Sequence, residues 1–520
     1  MKKNTARLRK RFHQAKWDEE VIFQLHNPGE KGITVPEVEE GIRQVAGDGL
    51  SLIPEKMRRT VPPALPEVGQ MRVLKHYLRL SQATLGADFN IDIGQGTCTM
   101  KYSPKVNEAI ARSQKASEIH PYQDEGTVQG ALEVIFNLEG IFREISGLDR
   151  FSFQPSSGSH AIMVMASVVR KYHELRGEAG KRDEIITTIF SHPSDAAAAA
   201  IKGFKIITLH PGPDGLVNVE SLKSVVSDRT AALFITNPED TGIFNPQIAE
   251  FTLVVHQAGG LCAYDQANAN GLLGITRGRE AGFDLCFFNL HKTFGTPHGC
   301  GGPAGGAIGV TASLRELLPV PLVDRKDEKF FLNYDLPHSI GKTRAFYGVF
   351  PVILKAYAWI MALGAEGLRT VSQTAVLNNN YLMKRILDIR GVTSPFPAGK
   401  RRIEQVRYSL EKMHRETGIG THDVTARMAD FGFHMWSSHH PFIVPEPCTI
   451  EPTESYSKAE IDEYLAGLQQ CSDEAYSNPD IVRTAPHNSV VHHIDSSVSD
   501  DPERWAITWR AYLKKHVEKL

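Results

Sequence analysis

An α/β fold with a mostly parallel sheet is predicted by three features of this 520-residue chain. From residue 151 onward, short apolar runs alternate with helical patterns, the signature of strand–helix–strand units. Several of these runs are apolar throughout, as strands buried on both faces must be. Polar or glycine-rich turns recur just after the runs, at the strand ends where open α/β sheets gather their ligands. The composition, 41% hydrophobic and 23% charged, is that of an ordinary globular chain long enough for two or more domains. A net charge of −2 gives no overall attraction to nucleic acid or an anionic membrane. The apolar stretches are too short or too interrupted to span a bilayer. Six cysteines, at positions 98, 262, 286, 300, 448 and 471, include no Cys-x-x-Cys pair. They read as reduced thiols of a cytoplasmic protein, and no metal site is expected.

In chain order, residues 1–75 are expected to form an N-terminal arm. Its first stretch carries Lys2, Lys3, Arg7, Arg9, Lys10, Arg11 and Lys16, has no apolar core of a signal peptide, and reads as a solvated basic tail. Pro28-Gly29, Pro36, Pro54 and Pro62-Pro63 favour an extended path with short helical pieces. Helical spacing appears over 68–82, at Val68, Met71, Leu74 and Leu78. A large domain is expected over 76–345, linking helices over 346–390, a small α/β domain over 391–475, and a polar surface extension over 476–520. Pro104 opens a short helix, and Thr127 is positioned to cap an amphipathic helix over 128–146.

The large domain then reads as strands over 151–154, 185–190, 205–209, 231–235, 261–264 and 285–288. The first ends in Pro155-Ser-Ser-Gly-Ser-His160, before a helix over 161–175. Small residues and hydroxyls at a strand-to-helix turn suit a phosphate, because backbone N–H groups and the helix dipole face the anion. Ser157, Gly158 and Ser159 are therefore candidate phosphate-binding residues. His192 follows the next strand and reads either as a satisfied strand-end histidine or as an imidazole stacked on an aromatic ligand. Asn237 follows the strand over 231–235, and Asp265 and Asn268 follow the one over 261–264. An aspartate there serves either as a loop cap or as the partner of a pyridinium nitrogen.

The last strand leads into Asn289-Leu-His-Lys-Thr293 and the glycine-rich segment 295–309. Lys292 reads either as a snorkelling lysine beside a loop or as a desolvated amine able to form a Schiff base, as pyridoxal phosphate enzymes require. Asn289, His291 and Thr293 flank it, and His298 follows. Polar groups of suitable chemistry on successive strand ends are harder to assign to chance than any one of them. Further on, two long helices are expected over 343–363 and 366–389, broken at Gly364. Arg344 reads either as a carboxylate binder or as a structural ion pair. His487, His492 and His493 in the tail lack metal-ligand spacing.

Taken together, Gly96-Thr-Cys-Thr-Met-Lys101, Thr127-Val-Gln-Gly-Ala-Leu-Glu133, Asn289-Leu-His-Lys-Thr-Phe294 with Pro297-His-Gly299, Ser339-Ile-Gly-Lys-Thr-Arg344, Asp430-Phe-Gly-Phe-His434 and Ile450-Glu-Pro-Thr-Glu454 resemble the glycine decarboxylase P-protein family, in its second-subunit form, over nearly the whole chain. The resemblance implies a fold-type I, aminotransferase-like enzyme using pyridoxal 5'-phosphate. It implies that Lys292 forms the internal aldimine, Asp265 pairs with the pyridine nitrogen and His192 stacks on the ring. Ser157, Gly158, Ser159, Asn237, Asn268, Asn289, His291 and Thr293 would line the cofactor, and Arg344, His160 and His298 the amino-acid substrate. It also implies glycine decarboxylation through an external aldimine and a quinonoid, with transfer to a lipoylated carrier protein. The expected assembly is a homodimer or a hetero-assembly with a first subunit of the same fold.

Departures from the family pattern carry a second expectation. His160-Ala-Ile162 replaces a Gly-Glu pair, Cys300 interrupts a glycine run, Gln266 replaces a glycine, Ile403-Glu-Gln-Val406 replaces His-Glu-Phe-Val, and Met435-Trp-Ser-Ser-His-His440 is bulky. They gather where substrate would bind, as in an enzyme repurposed for a larger amino acid, such as S-adenosylmethionine, with elimination and carbon–carbon bond formation. A catalytically silent scaffold is the third reading, and the retained Lys292, Asp265 and His192 argue against it.

Overall fold

The computed structural model describes residues 8, 12, 15–47, 49–61, 63–85, 90–98, 100–299, 302–397, 399–435, 443–490, 501–506 and 508–517. The basic stretch before Lys16, Cys300, the 436–440 segment, His492 and His493 lie wholly or mostly outside these residues. The chain divides into two compact units, residues 1–10 with 86–485, and residues 11–85 with 486–520.

The larger unit is built on a seven-stranded sheet in the order β1-β7-β6-β5-β4-β2-β3. Its strands are β1 (Arg150–Ser152), β2 (Glu184–Thr188), β3 (Lys205–Leu209), β4 (Thr230–Thr236), β5 (Leu261–Gln266), β6 (Leu285–Asn289) and β7 (Gly306–Val310). β3, β2, β4, β5 and β6 run parallel, and β7 is antiparallel to both of its neighbours. All residues of β5, β6 and β7 are buried, so these central strands read as continuous apolar runs rather than alternating ones. Parallel pairing requires crossovers, and the helices Gly158–Leu175, Pro193–Ile201 and Ile248–Gln257 supply three of them. They pack Val164, Val168, Ala199, Phe251 and Val255 onto the sheet's two faces.

A second core, in the same unit, joins Leu382 and Ile386 to Tyr408, Met428, Ile450, Tyr464 and Leu468. It surrounds a two-stranded antiparallel pair, Val406–Ser409 with Pro447–Ile450. The two cores are linked by the helix Phe350–Ile386, which is broken at Gly364, where φ is 64°. By length and composition this is the one described helix apolar enough to cross a membrane, yet it buries Val352, Ile353, Ala356, Leu382 and Ile386 in the two cores. It starts at Phe350 rather than near 343, because Pro351 fits only the first helical turn and 343–349 runs as irregular backbone.

Other helix starts also shift. The helix after β1 begins at Gly158, three residues before expectation, because the Ser157 hydroxyl accepts the His160 N–H at 3.2 Å and so caps it. Thr127 does not cap the Gln129–Ser146 helix; its hydroxyl donates to the Asp124 carbonyl within a short 3-10 turn. Asp265 lies inside β5 rather than after it. The five described cysteines are unpaired.

One packing constraint carries a measurable consequence. Gly242 has φ of 72°, and a Cβ there would overlap the Gln405 carbonyl oxygen. Gly242→Ala is expected to destabilise the protein by about 2–4 kcal/mol, through positive-φ strain added to backbone overlap. A lowered guanidinium midpoint relative to wild type checks this.

The smaller unit carries the helix Gln70–Gln82 and short helical pieces such as Glu40–Ala46. Its best-formed contact is the buried Glu19 carboxylate, bonded to His76 Nδ1 at 2.8 Å and Arg79 Nη1 at 2.5 Å. Val35, Val45, Leu52 and Met57 of the arm are exposed.

Candidate active site

The carboxyl ends of β2, β4, β5 and β6 face one edge of the sheet, and the chemistry collects there. Lys292 sits on a single helical turn, Leu290–Thr293, directly after β6, and is 7% exposed. Its charge is felt by Asp265, Glu451, His291 and His298. Asp265 is buried, and its Oδ1 accepts the Ala267 N–H at 2.9 Å. Burial holds the Asp265 carboxyl above its ordinary range, while the Ala267 N–H and Lys292 pull it back.

The neighbouring His291 lines a cleft of about 500 Å³, together with Ser156, Ser157, His298, Arg344 and Val349. Ser157 and Ser159 stand at the start of the Gly158–Leu175 helix, whose first N–H groups face outward. Gly158 is required by close approach, since a Cβ there would lie 2.9 Å from the Asn289 amide nitrogen. His291 is held neutral: burial, then Lys292 and His298, push it down to about 3. Its Nδ1 lies 3.2 Å from the Gly305 carbonyl, and its ring meets that of His298 edge-on at 5.0 Å. His298 and His160 are also lowered, chiefly by burial; Lys292 adds to the first and Arg344 to the second. His192 is exposed at the start of the Pro193–Ile201 helix, where its Nδ1 accepts the Ser194 N–H at 3.2 Å.

Three expected cofactor contacts turn out to be engaged elsewhere. Both ends of the Asn237 amide bond Asn245, accepting its N–H at 2.8 Å and donating to its carbonyl at 3.2 Å, so Asn237 closes the 237–245 loop. The Asn268 amide donates to both Glu451 oxygens at 2.8 Å. Thr293 Oγ1 accepts the Ala269 N–H at 2.9 Å and ties the Lys292 turn to the loop after β5.

The sequence reading also missed a buried ionic layer. Glu451 is fully buried, accepts from Asn268 and Asn270, and is pushed up to about 7 by burial. Lys101 pairs with Glu454 at 3.0 Å and lies 4.9 Å over the Trp359 ring; burial lowers its pKa. Glu404 is buried beside Glu451 and raised well above its ordinary value, first by burial. The only available signal was that Lys101, Glu451 and Glu454 fall within motifs quoted above, where no role was assigned to them. Because the folded Glu451 titrates above its ordinary 4.5, its proton favours the fold below that value, and the benefit is lost as pH rises through about 7. Glu451→Gln is therefore expected to flatten the fall of the melting temperature between pH 4.5 and 7, read by scanning calorimetry.

A larger apolar groove of about 640 Å³, lined by Ile141, Ile145, Ile275, Ile360 and Leu368, contains none of these groups.

Comparison with known proteins agrees with this layout. Residues 156–304, from the serine turn through the Lys292 loop, match the aminotransferase class-V family, and residues 371–493 match the family described as glycine dehydrogenase, C-terminal domain. The probable glycine dehydrogenase (decarboxylating) subunit 2 of Pyrococcus horikoshii is 44% identical over 503 residues, covering 96% of this chain and 98% of the relative. Its counterpart in Thermococcus kodakarensis is 45% identical over 511 residues, covering 98% and 99%. The crystal structure of a glycine decarboxylase (P-protein) of the glycine cleavage system, in inhibitor-bound form, superposes with a TM-score of 0.69 at 20% identity, covering 84% of this chain and 99% of that one. It shares the fold. Identity of this level over nearly the full length places the chain in the glycine dehydrogenase (decarboxylating) subunit 2 family.

Proposed function

We propose that this chain is the pyridoxal-phosphate-bearing subunit of a glycine-decarboxylating enzyme. The observation that carries the proposal is the buried Lys292, set beside the buried Asp265 and next in sequence to His291, which lines a cleft walled by a serine-capped helix start. The residues fit the cofactor. Asn289 Oδ1 and Arg344 Nη1 are buried polar atoms without a protein partner, as expected of groups that face a polar ligand.

When bound, pyridoxal phosphate supplies an aldehyde for an amine and a ring that draws electrons from the bonds at the amino acid's α-carbon. Ser157, Ser159 and the first N–H groups of the 158–175 helix would hold its phosphate. Lys292 would anchor the aldehyde and afterwards move a proton at the α-carbon. Asp265 would hold a proton on the pyridine nitrogen. The exposed His192 ring would cover the cofactor face. Neutral His291 and His298 would offer lone pairs and N–H groups without adding positive charge beside Lys292. Arg344 would bind the substrate carboxylate, its guanidinium facing the same cleft.

The larger-amino-acid alternative is not favoured, since identity to relatives named for glycine runs nearly end to end. Those relatives are named as second subunits, which supports assembly of this chain with a first subunit. The test is exchange of labelled bicarbonate into glycine by this chain, a first subunit and a lipoylated carrier. Exchange is expected only with glycine; its absence with all three present would overturn the proposal. Arg344→Ala is expected to raise the KM for glycine about 10–100-fold with kcat changed far less, as removal of a charge-assisted carboxylate contact should. Steady-state kinetics read the split.

A further inference from the structure

Glu451 is fully buried directly after the strand Pro447–Ile450 of the second core, and none of the roles above falls to it. Its N–H donates to the Ile93 carbonyl at 3.0 Å, which fixes its backbone. Burying an acid is costly unless its oxygens are hydrogen-bonded. The side-chain bonds that Glu451 accepts come from one short loop, 265–271. The Asn268 amide reaches both oxygens at 2.8 Å, and the Asn270 amide reaches Oε1 at 2.6 Å. Asn268 Oδ1 also accepts the Asn270 N–H at 2.9 Å, which locks the two amides to each other. At Gly271 the loop closes against Ile403, which a Cβ there would overlap. The same loop also holds the groups to which chemistry is assigned. Its Ala267 N–H donates to Asp265 Oδ1 at 2.9 Å, and its Ala267 carbonyl accepts the Asn289 N–H at 3.2 Å. Its Ala269 N–H donates to Thr293 Oγ1 at 2.9 Å. Asn289 and Thr293 flank the turn that carries Lys292, so both ends of that turn are bonded to this loop.

We propose that Glu451 is a positioning residue for Lys292 and Asp265: it clamps the 265–271 loop through Asn268 and Asn270, and the loop sets the Lys292 turn through Thr293 and Asn289 and the Asp265 carboxylate through Ala267. Each link is a hydrogen bond within one compact unit. The inference rests on the reading of Lys292 and Asp265 as a pyridoxal phosphate site.

The test takes full-length Glu451→Ala, Glu451→Gln, Thr293→Val and the Glu451→Ala/Thr293→Val pair through two measurements. The first is amide hydrogen exchange of the cofactor-free protein, read by mass spectrometry. Glu451→Ala is expected to speed exchange about fivefold or more over 267–270 and 289–294, and to leave the Gln129–Ser146 helix within about twofold. The second is the dissociation constant of pyridoxal phosphate, by equilibrium dialysis. Glu451→Ala is expected to weaken binding about tenfold, through loss of the support behind the anchoring groups. Glu451→Gln keeps the shape and one acceptor oxygen, and is expected to stay within about threefold of wild type. With the Thr293 link cut, Glu451→Ala is expected to add about threefold at most, since only the links through Ala267 remain. Exchange that speeds up evenly over the whole unit would mark a merely structural acid and overturn the inference. So would a full tenfold loss in both backgrounds, or a loss in Glu451→Gln matching that in Glu451→Ala. Glu451→Asp keeps the acid but draws it back from the loop, and takes the place of alanine in the cycle if alanine disturbs folding. A wild type that binds no pyridoxal phosphate overturns the proposed function, and this inference with it. A wild type that binds, with the expected pattern absent, overturns this inference alone.

Discussion

Lys292→Ala is expected to lose turnover by about 10⁴-fold or more, because under the proposed function one side chain would both anchor the cofactor and move the proton that follows decarboxylation. The same variant should yield no borohydride-trapped cofactor peptide, whereas wild type should yield one spanning Lys292. Its 7% exposure explains why no other residue substitutes: the turn Leu290–Thr293 is packed between β6 and the loop after β5, and Thr293 is bonded to Ala269. Lys292→Arg should fare little better, since the guanidinium keeps the charge but has no free lone pair. Overall folding should survive alanine, because the described structure gives the amine no hydrogen bond that holds the core together; circular dichroism checks this. Unchanged turnover in Lys292→Ala would remove the basis of the proposed function.

Asp265→Ala is expected to lower kcat by about 10²–10³-fold, as does loss of a preorganised electrostatic partner in a buried site. The carboxylate is the only acid on β5, a strand buried along its whole length. Without it the pyridine nitrogen of the proposed cofactor would lose its proton, and the ring would withdraw electrons poorly. Asp265→Asn should lose nearly as much rate, since an amide carries no charge, while keeping more of the cofactor affinity. Stopped-flow measurement of carbon dioxide release separates the two effects from binding. A kcat within about threefold of wild type in both variants would contradict the assignment.

How much of this was legible in the sequence depends on how local the signal is. The strands over 231–235, 261–264 and 285–288 announced themselves because parallel strands buried on both faces are continuous apolar runs. The placement of Lys292, Asp265 and His192 at strand ends was legible because each follows or ends an apolar run. Helix starts were less legible: one serine-to-backbone bond moved the start from 161 to 158, and Pro351 delayed another from 343 to 350. Least legible were the engaged amides and the buried acids. Asn268 meets Glu451 across 183 positions, and no periodicity records that pairing. Asn237 looked like a ligand residue because it stands at a strand end, yet Asn245, eight positions on, takes both ends of its amide.

The most direct measurement is an absorbance titration of the purified chain loaded with pyridoxal phosphate, against glycine and then a panel of larger amino acids including S-adenosylmethionine. The account predicts a visible band on loading that glycine shifts and the larger amino acids leave unchanged. No visible band on loading, or a response to a larger amino acid with none to glycine, would contradict it.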